Sequence, residues 1–287
     1  MQHVRGGIFA LALGALGCAH AGEPSRHASE GDAHLTPLPA GEDDDGDGLS
    51  DVEERDLARR YAPIVILDRR DPYRPASIPW LIRATGGQPG KAFGIPAHAR
   101  RGSSDPADWT AYVHVFPRAD GGINLQYWFF YPYNDGPIFF DHDSDWEHVT
   151  VRLDAKRRPV GAYLARHEDD HPGPFWSWGR LRREGEHPVV LSARGSHATY
   201  ANPGDVGWFD VAVTCDDLAR CANPVWRTAD GELPNIGEPM HPFVHPDVLS
   251  YAGRWGRVGS LPGRSAPFGP LRHHGTCSGG SARCSVH

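Results

Sequence analysis

His148-Val149-Thr150-Val151-Arg152-Leu153 alternates polar and apolar residues, the pattern of a strand with one face toward a core. Val149, Val151 and Leu153 make the core-facing set. Counting back by twos along the same strand lands on Glu147 and Asp145, so both carboxylates are expected to point inward at the rim, about 7 Å apart for the two-residue step. Ionised carboxylates withdrawn from water cost on the order of several kcal/mol each unless paired. Something cationic is therefore expected beside them: a metal, an arginine such as Arg194, or a protonated histidine, with His142, His148 and His197 as candidates. Histidine makes up 17 of the 287 residues, which favours metal or acid–base chemistry. The alternative is a hydrogen-bonded network with no functional role.

The neighbouring sequence repeats the pattern. Tyr112-Val113-His114-Val115-Phe116 alternates, as does Ile123-Asn124-Leu125-Gln126-Tyr127 before it becomes the aromatic run Trp128-Phe129-Phe130-Tyr131. Pro117 to Gly122, with Asp120-Gly121-Gly122, joins them as a hairpin. Val160 to Ala165 pairs with His148–Leu153 around Asp154–Pro159, and Val189–Ser192 and Trp208–Val213 supply further strands. Glycine and proline together are about a fifth of the chain, punctuation that suits short strands and turns. No long amphipathic helix interrupts, so residues 57–287 are expected to form one all-β domain, a mainly antiparallel β-sandwich or jelly roll.

The 29 basic and 36 acidic residues give a net charge of −7, and without a long basic run there is no nucleic-acid footprint. Residues 1–21 read as an export signal, with Arg5 before the apolar Ile8–Leu16 stretch. Ala15-Leu16-Gly17-Cys18 forms a lipobox in which Cys18 would be lipidated, anchoring the protein to the cell envelope. Ala19-His20-Ala21 offers ordinary signal cleavage and a secreted product instead. Either exit leaves four cysteines in two close pairs, Cys215/Cys221 and Cys277/Cys284, read as disulfides of an oxidising compartment. Residues 22–41 have the composition of a linker.

Residues 42–56 hold a calcium-type loop followed by the start of a short helix. Counting from Asp43, Asp45, Asp47 and Asp51 fall at positions 3, 5 and 9, Leu49 offers its carbonyl at 7, Gly48 permits the turn at 6 and Glu54 closes at 12. Such spacing surrounds a hard cation with oxygen, so Ca²⁺ is the expected ion. Ser50 with Glu53 makes a capping box for a helix running to about Tyr61, before Pro63. The loop resembles a single thrombospondin type 3 repeat.

Several stretches carry a wider resemblance: Leu57–Pro63, Ser77–Leu81, Tyr127–Asn134, Asp145-Trp146-Glu147-His148, Gly195–Tyr200, Gly253-Arg254-Trp255-Gly256 and Phe268-Gly269-Pro270. Together they resemble the vacuolar protein sorting-associated protein sixty-two family over about residues 57–272. Their central part is also similar to the necrosis- and ethylene-inducing-like secreted proteins, whose signature is G-H-R-H-D-W-E. That resemblance implies a divalent-metal site at one end of a β-sandwich, held here by His142, Asp145, Glu147 and Asn134. Asn134 stands where the family has Asp; Asp141, Asp143 and Ser144 stand where it has Gly, Arg and His.

Other chemistry is weaker. Ser196 and His197 are adjacent and would face opposite ways on a strand, a poor nucleophile–base pair. Trp176, Trp178, Trp208 and Trp226 are read as core, with Phe175–Gly179 as an exposed loop. The leading functional expectation is a binding module whose rim recognises an extracellular glycan, a lipid headgroup or a membrane surface. A metal-dependent hydrolase, with His148 or His197 as the acid–base group, is the second. A structural surface lipoprotein is the third. Oligomeric state is not encoded in any motif.

Overall fold

The computed structural model describes residues 42–87, 94–136, 140–166, 174–205, 222–237, 251–261 and 263–272. The export signal with Cys18, the linker, both cysteine pairs and the strand expected at 208–213 lie outside the described residues.

Among the described residues, ten strands form two five-stranded sheets. One contains β1 (Ile64–Leu67), β7 (Arg183–Glu184), β8 (His187–Ser192), β9 (Thr199–Tyr200) and β10 (Val225–Arg227), in the order β10-β1-β8-β7, with β9 also on β8. The other is a meander of β2 (Ala111–Pro117), β3 (Ile123–Asn134), β4 (His142–Leu153), β5 (Pro159–Leu164) and β6 (Phe175–Ser177). The expected antiparallel arrangement holds except between β1 and β8, which run parallel. That exception has a plain origin: the whole meander lies between them in the chain, so no tight turn forces an antiparallel return.

The expected first helix forms as α1 (Asp51–Arg60), with Ser50 Oγ accepting from the Glu53 N–H. Its first turn carries Asp51, Glu53 and Glu54 and its last Arg59 and Arg60, the charge order that the helix dipole favours. The Glu53 carboxylate accepts from Arg157 Nε at 2.7 Å. Leu49, Leu57, Ala58 and Tyr61 enter the same apolar cluster as β2–β5, and the Tyr127 hydroxyl donates to the Ala58 carbonyl. A second helix, α2 (Ile78–Thr85), was not expected from the sequence. Its signals are nonetheless present: Ser77 caps it, Pro79 sits in the first turn, and Gly86 ends it at φ 71°.

The main core lies between the sheets, where Val65, Leu67, Val190 and Trp226 meet Val113, Leu125, Tyr127, Val149 and Val151. The meander's other face is also covered. Tyr112, Trp128, Phe130 and Trp146 pack there with Ile78, Leu81, Ile95 and Trp255. Every residue of β3 is therefore buried, which is why its sequence turns into an aromatic run instead of keeping a polar face.

His114 on β2 lies against Phe116, ring centroids 4.7 Å apart, with Nδ1 covered and without a hydrogen-bond partner. Burial pushes its pKa down from 6.5 to about 4. The fold thus favours neutral His114 while the unfolded chain protonates it, so its contribution is intact above pH 6.5 and is lost as the pH falls toward 4. His114→Gln is expected to flatten the dependence of melting temperature on pH across that window; parallel curves for the two proteins would contradict this.

Candidate metal loop and binding rim

The N-terminal loop gathers its acids as two sets. Ligand oxygens of Asp43, Asp45 and Asp47 lie within 4.8 Å of one another, and those of Glu42, Asp44 and Asp51 do likewise. Gly46 and Gly48 take φ of 73° and 94°, left-handed turns that fold the acidic run onto itself. Backbone amides hold the carboxylates in place: Asp43 accepts from Gly46, Asp47 and Gly48, Asp45 from Asp47, and Asp47 from Leu49. Burial raises the Asp45 and Asp47 carboxyls above the usual range, and the charges of Asp43 and Asp51 add to the rise. Asp47 Oδ2 is covered and accepts no hydrogen bond. An all-oxygen set of mutually repelling carboxylates has the chemistry a hard cation such as Ca²⁺ requires.

The spacing argument placed Asp51 with the odd-numbered acids. In the structure it keeps company with Glu42 and Asp44, accepting from the Asp44 N–H at 3.1 Å. Glu42 and Asp44 fall outside the loop-spacing template, so the spacing could not find them. Glu54, at the closing position, is 1% exposed on α1, and Leu49 is buried in the core.

At the other site, β3 and β4 run in register from Ile123↔Leu153 to Asn134↔His142. Asp145 and Glu147 continue the face of Val149 and Val151, as parity required, and both are buried. Asp145 Oδ2 accepts from His197 Nδ1 at 2.8 Å, and Asp71 Oδ2 lies 3.7 Å from His197 Nε2. His197, at φ 57°, stacks flat on Tyr131 with centroids 3.8 Å apart. The Gly195 N–H donates to Asp71 and its carbonyl accepts from the Asp135 N–H, closing the turn over the strand ends. Asp71 carries no sequence signal: it lies in an irregular segment with no period to place it.

Of the four residues expected to share a metal, Asn134 and His142 bond each other and Asp145 bonds His197. Asn134 Nδ2 lies 3.0 Å from His142 Nε2, while His142 Nδ1 is 2.8 Å from the Ser144 carbonyl. That pattern makes Nδ1 the donor and leaves Nε2 accepting from the amide. Asn134 Oδ1 is covered and has no hydrogen-bond partner. Among the described residues, His142, Asp145 and Glu147 do not bring ligand atoms within 4.8 Å of one another. Ser144, at φ 57°, interrupts the strand's alternation between them. His148 points to the opposite face, 4.5 Å from the Trp128 ring and bonded to Thr150 Oγ1, away from Asp145. Arg194 acts elsewhere: burial would raise the Asp68 carboxyl, but hydrogen bonds from Arg70, with the charges of Arg70 and Arg194, hold it below the usual range.

Past Ser144, Asp143 is fully buried and takes two arginines, Arg257 at 2.6 Å and Arg100 at 3.3 Å. Arg264 reaches Asp141 at 3.0 Å. The Arg257 and Arg264 pairs pin the strap that runs from Arg254 to Phe268 and whose Trp255 is buried against Phe130 and Trp146. Between strap and β4 opens a cleft of about 260 Å³, lined chiefly by Arg100, Tyr133, His142, Arg257, Ser260 and Arg264. Of the tryptophans read as core, Trp226 is buried, and Trp176 and Trp178 are partly buried against the same cluster; Trp208 lies outside the described residues.

Fold and site together define a β-sandwich with a polar cleft at one end and an acidic loop on its N-terminal side. No family model matches the chain. The chain is similar to Vacuolar protein sorting-associated protein 62 of Saccharomyces cerevisiae, 27% identical over 176 residues, or 51% of this chain and 37% of that protein. It is equally similar, 27% over 187 residues, to the Putative vacuolar protein sorting-associated protein TDA6 of the same yeast, covering 54% of this chain and 39% of the relative. The chain thus spans less than two-fifths of the length of these curated relatives. Among solved structures it is similar to Necrosis and Ethylene inducing Protein 2 from the causal agent of cocoa's Witches Broom disease, at 18% identity and TM-score 0.37 over 51% of this chain and 67% of that one. NLPPya in complex with glucosamine matches at 17% identity and TM-score 0.37, with the same coverages. Both resemblances read from the sequence recur in these comparisons.

Two measurements check the site. Replacing Asp43 and Asp47 together by Asn is expected to abolish calcium binding to the loop in calorimetry; unchanged stoichiometry would exclude the loop as a calcium site. His197→Phe keeps a ring on Tyr131 but strips Asp145 of its donor. It is expected to destabilise the fold by about 3 kcal/mol, read by chemical denaturation, whereas a loss well under 1 kcal/mol would mean that another group neutralises the rim.

Proposed function

We propose that this protein is an exported β-sandwich binding module, anchored through lipidated Cys18, that recognises an extracellular glycan or lipid headgroup. Its ligand site is the cleft at the β3–β4 end. The observation that supports this most is the lining itself: Tyr133 faces Arg100, Arg257, Arg264, His142 and Ser260 beside Asp141 and Asp143. Donors and acceptors in fixed pairs next to an aromatic ring are what a polyhydroxylated ligand needs, since each hydroxyl both gives and takes a hydrogen bond. Arg100 lies over the Tyr133 ring at 4.5 Å, so the ring is pre-oriented and little ordering cost remains for binding.

Calcium in the Asp43–Glu54 loop is a structural clip in this reading, joining the loop to α1 and the sandwich. Asn134, His142, Asp145 and Glu147 remain the proposed ligands of a rim metal. The unpartnered Asn134 Oδ1 is the feature that favours it, and the ion would supply a Lewis-acidic centre for ligand hydroxyls. The hydrolase reading has less support, because His148 faces away from the carboxylates and His197 is 1% exposed.

Binding of the full chain to an array of saccharides and lipid-headgroup glycans tests the proposal. Measured well below the melting temperature, which the loss of a buried ring lowers, Tyr133→Ala is expected to weaken the bound members by roughly tenfold, the loss of about 1.4 kcal/mol. Binding that survives Tyr133→Ala unchanged would remove the cleft from the function.

A further inference from the structure

We propose that the outer face of the meander, at the end of β3 and β4 remote from the cleft, carries a second binding site, for the oxyanion of an acidic saccharide. The site is separate from the cleft and does not depend on it. β3 and β4 pair from Asn134↔His142 beside the cleft to Ile123↔Leu153 at the far end, roughly 30 Å away along the strands. There two guanidiniums share one carboxylate. Arg118 and Arg152 both donate to Asp120 Oδ2, Arg152 at 3.4 Å. Their side chains are only 5% and 13% exposed, whereas that of Asp120 is 54% exposed. Arg118 also donates to the Leu153 carbonyl, and its Nε is covered with no hydrogen-bond partner. Asn124, opposite Arg152 on β3, is buried with its Oδ1 likewise unpartnered.

Closing the β2–β3 hairpin needs one Arg–Asp pair. The second arginine leaves a covered positive charge in excess, which an anion from solution neutralises. Burial, and then the charge of Arg152, push the Arg118 guanidinium down to about 10, as expected of cations held together away from water. The acids of the neighbouring turn are already engaged, Asp154 with Arg158 and Glu53 with Arg157. Phe175 supplies the other half of the site. A Cβ on Gly161 would come within 2.5 Å of its ring, and Gly161 is the cross-strand partner of Arg152, so the ring lies beside that guanidinium. It is 43% exposed and packs on Tyr163 with ring centroids 4.8 Å apart. Burial raises the Tyr163 hydroxyl pKa against the pull of both guanidinium charges, which places that hydroxyl near them. An open aromatic ring next to convergent donors suits a sugar ring bearing a sulfate or carboxylate, the ring on Phe175 and the oxyanion on the guanidiniums.

Calorimetry on the full chain at low salt tests this, with glucose 6-sulfate, glucuronate and neutral glucose as probes. At least one of the two acids is expected to bind more tightly than glucose, and which one does so tells a sulfate from a carboxylate site. Arg152→Gln is expected to weaken that binding roughly tenfold. Asp120→Asn removes the competing carboxylate yet can still accept from the Gly122 N–H, and is expected to strengthen binding a few-fold. A pair that only closes the hairpin predicts no gain from Asp120→Asn. Binding of neither acid, or acid binding that both substitutions leave unchanged, would overturn the site. So would acid binding that Tyr133→Ala abolishes and Arg152→Gln spares, which would place the acid in the cleft. Arg152→Gln should leave any saccharide bound in the cleft unaffected, so either site can fail without the other.

Discussion

Three carboxylates lie on one strand that is covered on both faces, and two of them, Asp143 and Asp145, take their partners from distant loops. Asp143, Asp145 and Glu147 on β4 are all buried, at a depth where an uncompensated charge would cost on the order of several kcal/mol. The solutions come from distant parts of the chain. Arg257 and Arg100 close on Asp143, and His197 closes on Asp145 with Asp71 behind it. Those partners lie on irregular segments, so the need to satisfy β4 is what fixes the position of loops that have little regular structure of their own.

The cleft follows from that placement. The strap held by Asp143 forms one wall of the cleft, and β4 with Tyr133 forms the other. The turn held by Asp145 is equally constrained: Gly195 has φ 82°, and a Cβ there would come within 2.5 Å of the Asp135 carbonyl oxygen. Buried charge pairs add little net stability compared with an apolar core, yet removing one partner is costly. They are suited to specifying one arrangement of loops, and the β3–β4 end uses them so. The acidic loop is a different case, where two sets of three carboxylates gather, a chemistry that suits a hard cation.

Much of this was legible in the sequence. Strand parity from Val149 back to Asp145 was right because β4 is regular over that span. It said nothing of His142, which lies past Ser144, where a left-handed φ that no residue pattern announces breaks the alternation. Parity also sets His148 on the face opposite Asp145, and there it lies, a face that Trp128 and Trp146 cover. The parallel pairing of β1 with β8, the role of Asp71 and the seat of Arg257 are long-range facts with no local period. α2 was readable from its Ser77 cap and Gly86 stop but is too short for periodicity to draw attention to it. The sandwich itself was the easiest part, since turn chemistry and alternation agree along β2 to β5.

The central claim is that buried carboxylates on β4 hold the loops that shape the cleft. Hydrogen exchange on Asp143→Asn tests it most directly. The amides of Trp255, Arg264 and Ala266, each bonded within the strap, are predicted to lose protection, while the amides of β2 to β5 keep theirs. Protection unchanged in the strap, or lost uniformly across both sheets, would contradict the account.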